Sequence, residues 1–301
     1  MKIIKSWLLF LTTFALLLVA CDSEENKTSG NTPPPSPNIT SRMETPRVKT
    51  DGSTVLISHS AKVRGRDVLT YSVEFDRNKM HSRWVAFRFD ATTRLKETSR
   101  ADVPFTDDTE LPIACRIGGN SFGKGYSRGH LCASADRLYA TDDRNNTANK
   151  QTFYMSNISP QKGNFNAPYW STLEGVVRDV VRNKNFTDDD TLYVVKGGTI
   201  NDHQIIEWIN RPNGTKVPVP KFFYMALLKV HKGVYTSIAF WVEHKDYGYD
   251  SNSTVPKKIM KQHAISVNQL EAKTGIDFFP NLPDAAEEKI EDCCLPADWG
   301  L

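Results

Sequence analysis

The chain has 301 residues, 39% of them hydrophobic, which is enough for one large domain or two small ones around a buried core and places it in the globular class. A formal net charge of +3 excludes attraction to nucleic acid by bulk charge alone, so any such activity must rest on cations gathered locally in a groove.

Lys2 and Lys5 precede an apolar run from Trp7 to Val19 that ends at Ala20-Cys21, the order of an export signal and too short for a comfortable membrane span. Leu18-Val19-Ala20-Cys21 resembles a bacterial lipobox. That resemblance implies a signal peptide over residues 1–20 and a lipidated Cys21 that anchors the protein to a bacterial membrane, with an ordinary signal peptide or uncleaved anchor as the alternative. The acidic Asp22-Ser23-Glu24-Glu25 resembles the surface-export signals of some lipoproteins; the outer membrane is the expected location, and the face of the membrane is left open by the sequence. Residues 21–50 follow as a Ser, Thr, Asn and Pro linker around Pro33-Pro34-Pro35-Ser36-Pro37, a semi-rigid tether that leaves 51–301 as the folded domain.

Within that domain, Val55–Ile57, Leu69–Phe75 and Trp84–Phe89 have strand composition, the second with alternation of apolar and polar positions. Leu192–Val195, Phe222–Val230 and Tyr235–Val242 are again β-branched and aromatic, and together these runs predict an α+β domain around an antiparallel sheet. Between them, Trp170, Leu173, Val177 and Val180 or Val181 recur at helical spacing after Asn166, with Pro168 near the first turn. A shorter helix is predicted over 264–273, stopped by Gly275.

The chemistry concentrates between residues 100 and 174. His130 is the candidate general base, because an imidazole with a pKa near neutrality can take a proton from water. Arg128 is a candidate phosphate-binding residue, since a planar, permanently charged guanidinium suits a phosphodiester. Asn166 offers a hard amide oxygen to a metal, or else an ordinary cap for the helix after it. Glu174 lies eight residues on, roughly 12 Å along a straight helix at about 1.5 Å per residue, so it can reach such an ion only through water. Asn157 is either a polar residue that positions substrate or the metal loop, or a strand-end turn residue. Cys115, Cys132, Cys293 and Cys294 are an even set in a chain expected to be exported, where disulfides persist, and three connectivities are open; a zinc site is the other possibility.

The ordered set Arg128-Gly129-His130, Ser156-Asn157-Ile158-x-Pro160-Gln161 and Asn166-x-x-x-Trp170-x-x-Leu173-Glu174 resembles the active site of the sugar-non-specific DNA/RNA endonucleases, the ββα-metal (His-Me finger) nucleases that include mitochondrial endonuclease G. The likeness continues to Arg100 upstream and to Gly275-Ile276 and Asn281-Leu282-Pro283-Asp284 downstream, covering roughly residues 50–285. It implies a ββα-metal fold with an antiparallel central sheet flanked by helices. It also implies sequence-non-specific cleavage of DNA and RNA that needs Mg2+, with Mn2+ as a second candidate, and leaves 5′-phosphates. The matching positions assign catalysis to His130, Arg128, Glu174 and Asn157, substrate binding to Arg100 and Arg128, and the metal to Asn166 directly and Glu174 through water. The family usually carries Asp where this chain has Ser127, whose hydroxyl is expected to support the His130 loop by a hydrogen bond. Two rivals remain: a phosphodiesterase of the same fold acting on another ester, and a lipoprotein that captures nucleic acid without cutting it.

Overall fold

The computed structural model describes residues 39–301 except Lys124, and the backbone alone at Asp284 and Ala285. The expected signal segment, Cys21 and most of the Pro-rich tether lie outside the described residues. The strands in chain order are β1 (Thr54–Val63), β2 (Arg66–Asp76), β3 (His81–Phe89), β4 (Tyr126–His130), β5 (Ile158–Lys162), β6 (Thr191–Gly198), β7 (Ile205–Asn210), β8 (Lys216–Pro220), β9 (Phe222–His231), β10 (Val234–Glu243) and β11 (Ala264–Ile265). Among the described residues four α-helices accompany them: α1 (Thr147–Gln151), α2 (Ser171–Arg182), α3 (Val267–Thr274) and α4 (Asp284–Glu291).

Seven strands form one antiparallel sheet in the order β1-β2-β3-β6-β9-β10-β11. Alternation sorts its side chains onto two faces. Phe87, Val194, Leu227 and Phe240 join the larger core on one face, where Leu173, Val177 and Val181 of α2 cover them. Ala86, Val195, Ala226 and Ala239 join a second core on the other, covered by Val267 and Leu270 of α3. Burial of each such large apolar side chain contributes about 1.5–3 kcal/mol, so both faces hold the sheet in place. This is the α+β antiparallel architecture expected from the strand composition.

Three boundaries gain detail from the structure. Ahead of residue 51, the described segment 39–50 is already packed on the domain. Glu44 and Thr45 are buried, Met43 and Val48 reach the second core, and Asn281 Nδ2 donates to the carbonyls of Thr40 and Arg42 at 3.0 Å each. Two apolar anchors in polar company are too few to show as a periodic element, yet they suffice to dock the segment. The stripe after Asn166 is not one helix: Phe165–Trp170 forms a wide turn with Ala167 extended (φ −142°, ψ 126°), and α2 starts at Ser171. In the third case, Ala264 and Ile265 pair with β10, and α3 starts only after Ser266, whose hydroxyl accepts from Gln269 N–H in a capping box. Gly275 closes α3 in the left-handed conformation, as predicted.

Candidate active site

β4 and β5 form a separate two-stranded ribbon against the larger core, a pairing that the short Gly- and Pro-containing segments did not announce. His81 Nε2 meets Ser159 Oγ at 2.7 Å, and the Lys162 N–H donates to His244 Nε2 at 2.7 Å, which ties the ribbon to β3 and to the end of β10. Alternation places Tyr126, Arg128 and His130 on one face of β4. Gly129 turns to the other, where Gln161 lies across it; a Cβ there would stand 2.1 Å from Gln161 Oε1, so any larger residue would have to displace the buried Gln161 side chain.

Asn157 is fully buried beneath this ribbon. Its Oδ1 accepts from Cys132 N–H (2.7 Å), and its Nδ2 donates to Cys132 O (2.9 Å) and Thr152 O (2.8 Å). Leu131 N–H donates to its carbonyl at 2.8 Å. Every polar group of Asn157 is thus engaged with backbone, and the residue holds the chain that leaves His130 rather than facing the groove. This is the support expected from Ser127, whose hydroxyl makes no hydrogen bond among the described residues.

The His130 ring packs against Phe105 (centroids 5.5 Å apart) and edge-on against Phe153 (5.2 Å). Neither ring nitrogen is hydrogen-bonded among the described residues, and Nε2 is buried. Burial, reinforced by the positive charge of Arg100 and Lys196, pushes its pKa down to about 3, so the ring is neutral at working pH. The same two phenyl rings carry the arginines. Arg128 lies over Phe105 at 4.1 Å and donates to Gly119 O at 2.8 Å; Arg100 lies over Phe153 at 4.8 Å and donates to Ser134 Oγ at 2.9 Å. Neither guanidinium has a carboxylate within 4.0 Å among the described residues. Arg128 and Phe105 border an open cavity of about 640 Å³ with Asp107, Gly119 and Ser121.

Glu174 is buried in a quartet of charges that sequence reasoning missed. Lys196, fully buried on β6, lies 3.1 Å from Asp136 and 3.2 Å from Glu174; Arg178 lies 2.8 Å from Asp136 and 4.0 Å from Glu174. Burial pushes the Asp136 carboxyl up, but Lys196 and Arg178 outweigh it and hold the group below the usual carboxylate range. Burial dominates at Glu174, whose pKa is raised. The available signal for Lys196 was a lone cation ending the apolar run Leu192–Val195. Asp136 and Arg178 had none, because what marks them is contact across long sequence separations.

Asn166 is half-buried in the turn before α2. Its carbonyl accepts from Ser171 N–H, but its side-chain amide makes no hydrogen bond among the described residues and does not cap the helix. A hard oxygen donor is therefore free at this point. No group of three or more His, Cys, Asp or Glu that could hold a metal gathers among the described residues. The donors present suit Mg2+, which keeps several waters and takes few protein ligands, and not a structural zinc held wholly by protein. The cysteines also depart from expectation: Cys115, Cys132, Cys293 and Cys294 are all unpaired. Cys132 is sealed in the core with its backbone clasped by Asn157, and burial pushes its thiol up to about 12, which makes it inert.

A family model for DNA/RNA non-specific endonucleases matches residues 52–285, and the chain belongs to that family. It is 26% identical over 226 residues to "Nuclease EXOG, mitochondrial" of Xenopus laevis, covering 72% of this chain and 58% of that protein, so it spans little more than half of that relative. A "Nuclease" of Nostoc sp. is 26% identical, with 74% of this chain and 77% of that one covered. A "Nuclease" of Syncephalastrum racemosum is 29% identical, with 74% and 69% covered. In a solved EndoG/EndoGI complex one chain superposes with a TM-score of 0.56 at 21% identity, over 76% of this chain and 86% of that one, a likeness that shows the ββα-metal nuclease fold.

Proposed function

We propose that the protein is a divalent-cation-dependent endonuclease that hydrolyses phosphodiester bonds in DNA and RNA without sequence preference. The observation that carries this reading is a neutral His130 set between two phenyl rings, each of which holds an arginine with no carboxylate partner. Arg128 and Arg100 bind the phosphodiester, and His130 takes the proton of the attacking water. Burial is the main cause of the low imidazole pKa and Arg100 the next; a phosphate entering beside Arg100 offsets that second cause, so substrate binding makes His130 a better base. The recognised group is backbone phosphate, which carries no sequence information. Asn166 would hold Mg2+, or alternatively Mn2+, and that ion would supply Lewis-acid charge to the phosphate oxygens. Glu174, its carboxylate fixed by Lys196 and Arg178, would orient water around such an ion.

We also read the protein as exported and lipid-anchored through Cys21 to a bacterial membrane, on the order of basic residues, apolar run and Leu18-Val19-Ala20-Cys21. Radiolabelled palmitate should enter the wild-type chain and not Cys21→Ser; no label in the wild type would contradict the anchor. For the activity, the protein is incubated with supercoiled plasmid and with RNA, each with Mg2+ and with chelator. Nicking and degradation that require the cation, with 5′-phosphate ends, are expected. Intact substrates alongside turnover of small phosphodiesters would instead identify a phosphodiesterase, and binding without cleavage a capture protein.

A further inference from the structure

The turn between β7 and β8 sends one arginine into the substrate side of the site. Arg211 precedes Pro212-Asn213-Gly214, and its N–H donates to Thr215 O at 2.8 Å to close the turn. Its side chain leaves the hairpin and ends, only 4% exposed, inside the loop 117–122. There the guanidinium donates four hydrogen bonds to main-chain carbonyls: Nε to Ile117 (3.1 Å), Nη1 to Ser121 (2.7 Å), and Nη2 to Gly118 and Asn120 (2.8 Å each). It also lies over the Phe122 ring at 4.9 Å, with no carboxylate within 4.0 Å among the described residues. A rigid five-donor fork is the one side chain that can collect so many carbonyls at a point, and lysine cannot replace it.

The loop it gathers carries the partner of Arg128. Gly119, flanked by Gly118 and Asn120, presents the carbonyl to which Arg128 donates at 2.8 Å. The same glycine lies hard against the Phe105 backbone, where a Cβ would stand 2.0 Å from Phe105 O. Phe105 in turn supports Arg128 and touches His130. Asn213 Nδ2 adds a contact from the hairpin to Arg116 O at 3.2 Å, and Tyr126 Oη donates to Glu207 at 2.5 Å, which ties β7 to β4. The positive field of Arg128 reaches Arg211 and, after burial, is the next cause of its lowered pKa. Two cations that repel one another are thus held close by a loop of carbonyl dipoles.

We infer that Arg211 is a positioning residue for substrate: by gathering the carbonyls of residues 117, 118, 120 and 121 on either side of Gly119 it fixes Gly119 O and Phe105, and through them aims the Arg128 guanidinium at the phosphodiester. This rests on the nuclease reading above. Arg211 itself does not touch phosphate, because it is buried with four of its N–H donors already engaged with backbone.

The test compares full-length wild type, Arg128→Ala, Arg211→Lys and the double variant. The readouts are KM and kcat for plasmid and the salt dependence of DNA binding measured in chelator. Loss of one phosphate contact lowers the slope of log K against log salt by about 0.9. Arg128→Ala should show that loss, and Arg211→Lys should show most of it with a KM raised about 10-fold or more. The double variant should be no worse than Arg128→Ala, because residues acting through one another are not additive. A loop with a merely structural role would alter melting and leave slope and KM alone. Arg211→Lys with wild-type slope and KM, or a double variant whose losses multiply, overturns the assignment. If Arg211→Lys fails to fold, Gly119→Ala displaces the same carbonyl with Arg211 intact. It should reproduce the Arg128→Ala slope, and a wild-type slope there also overturns the assignment. A wild-type chain that neither binds nor cuts nucleic acid would refute the nuclease reading itself, a result distinct from either.

Discussion

Two groups of cations flank His130, and they are built in opposite ways. Arg100 and Arg128 rest on phenyl faces with a hydroxyl and a carbonyl as their only hydrogen-bond partners among the described residues, so their charge stays available to an incoming anion. Lys196, fully buried, and Arg178, half-buried, share Asp136 and Glu174, so that two positive and two negative charges offset one another in the wall of the site. Both groups project field onto the imidazole, but only the first can exchange its partners for substrate. Charge needed for binding is supported by neutral surfaces, whereas charge that shapes the wall of the site is locked in pairs.

Breaking the locked group should have the largest effect. Lys196→Met leaves two buried carboxylates with Arg178 as their remaining ion-pair partner among the described residues, and removing one partner of a buried ion pair typically costs about 3–5 kcal/mol. Urea denaturation should show a loss of that order, and unchanged stability would mean that the quartet does not form. Because Asp136 titrates below the usual carboxylate range, its contribution is full above the unfolded pKa and fades as pH falls through the folded one, so the loss should shrink in acid.

Glu174→Gln keeps the shape of the quartet and removes one charge. Plasmid nicking should slow about 10- to 100-fold, the usual cost of altering a residue that acts on a metal through its surroundings. A wild-type rate would reduce Glu174 to a structural partner of Lys196.

His130 offers a subtler probe of the shared field. Its folded pKa of about 3 lies below the ordinary histidine value, so the unfolded chain binds the extra proton first, and stability falls as pH drops from about 6.5 toward 3. His130→Gln should have a shallower loss over that window, by at most about 1.4 kcal/mol per pH unit, measured by denaturation across pH. An identical slope would show that the ring is not held neutral. Arg100→Ala should have the smallest effect on stability, within about 0.5 kcal/mol for an exposed side chain. It should still lower the salt slope of DNA binding by about 0.9, and an unchanged slope would remove Arg100 from the phosphate site.

What the sequence revealed follows the same division. Arg128, His130, Asn166 and Glu174 stand in fixed short spacings, so the motif was legible, and the long β-branched and aromatic strands showed the sheet by composition alone. The ribbon of β4 and β5 was hidden because each strand has five residues and includes Gly129 or Pro160. Lys196, Asp136 and Arg211 reach partners 22 to 94 residues away, a relation that local pattern cannot carry. Asn157 was legible as important but not as the clasp beneath His130, since its role depends on burial. The unpaired state of Cys115 and Cys132 likewise follows from their packing in the core and not from their even count.

The division of labour between His130 and Asn166 is the central claim, and titrating metal into His130→Ala and Asn166→Ala while following plasmid nicking across Mg2+ concentrations tests it most directly. His130→Ala should lose about 10²- to 10⁴-fold in rate, the usual worth of a general base, with metal affinity close to wild type. Asn166→Ala should bind the ion weakly and recover part of its rate as Mg2+ is raised. If His130→Ala lost metal binding and Asn166→Ala kept it, the roles would be reversed, and if both cut plasmid at the wild-type rate, the active site would lie elsewhere.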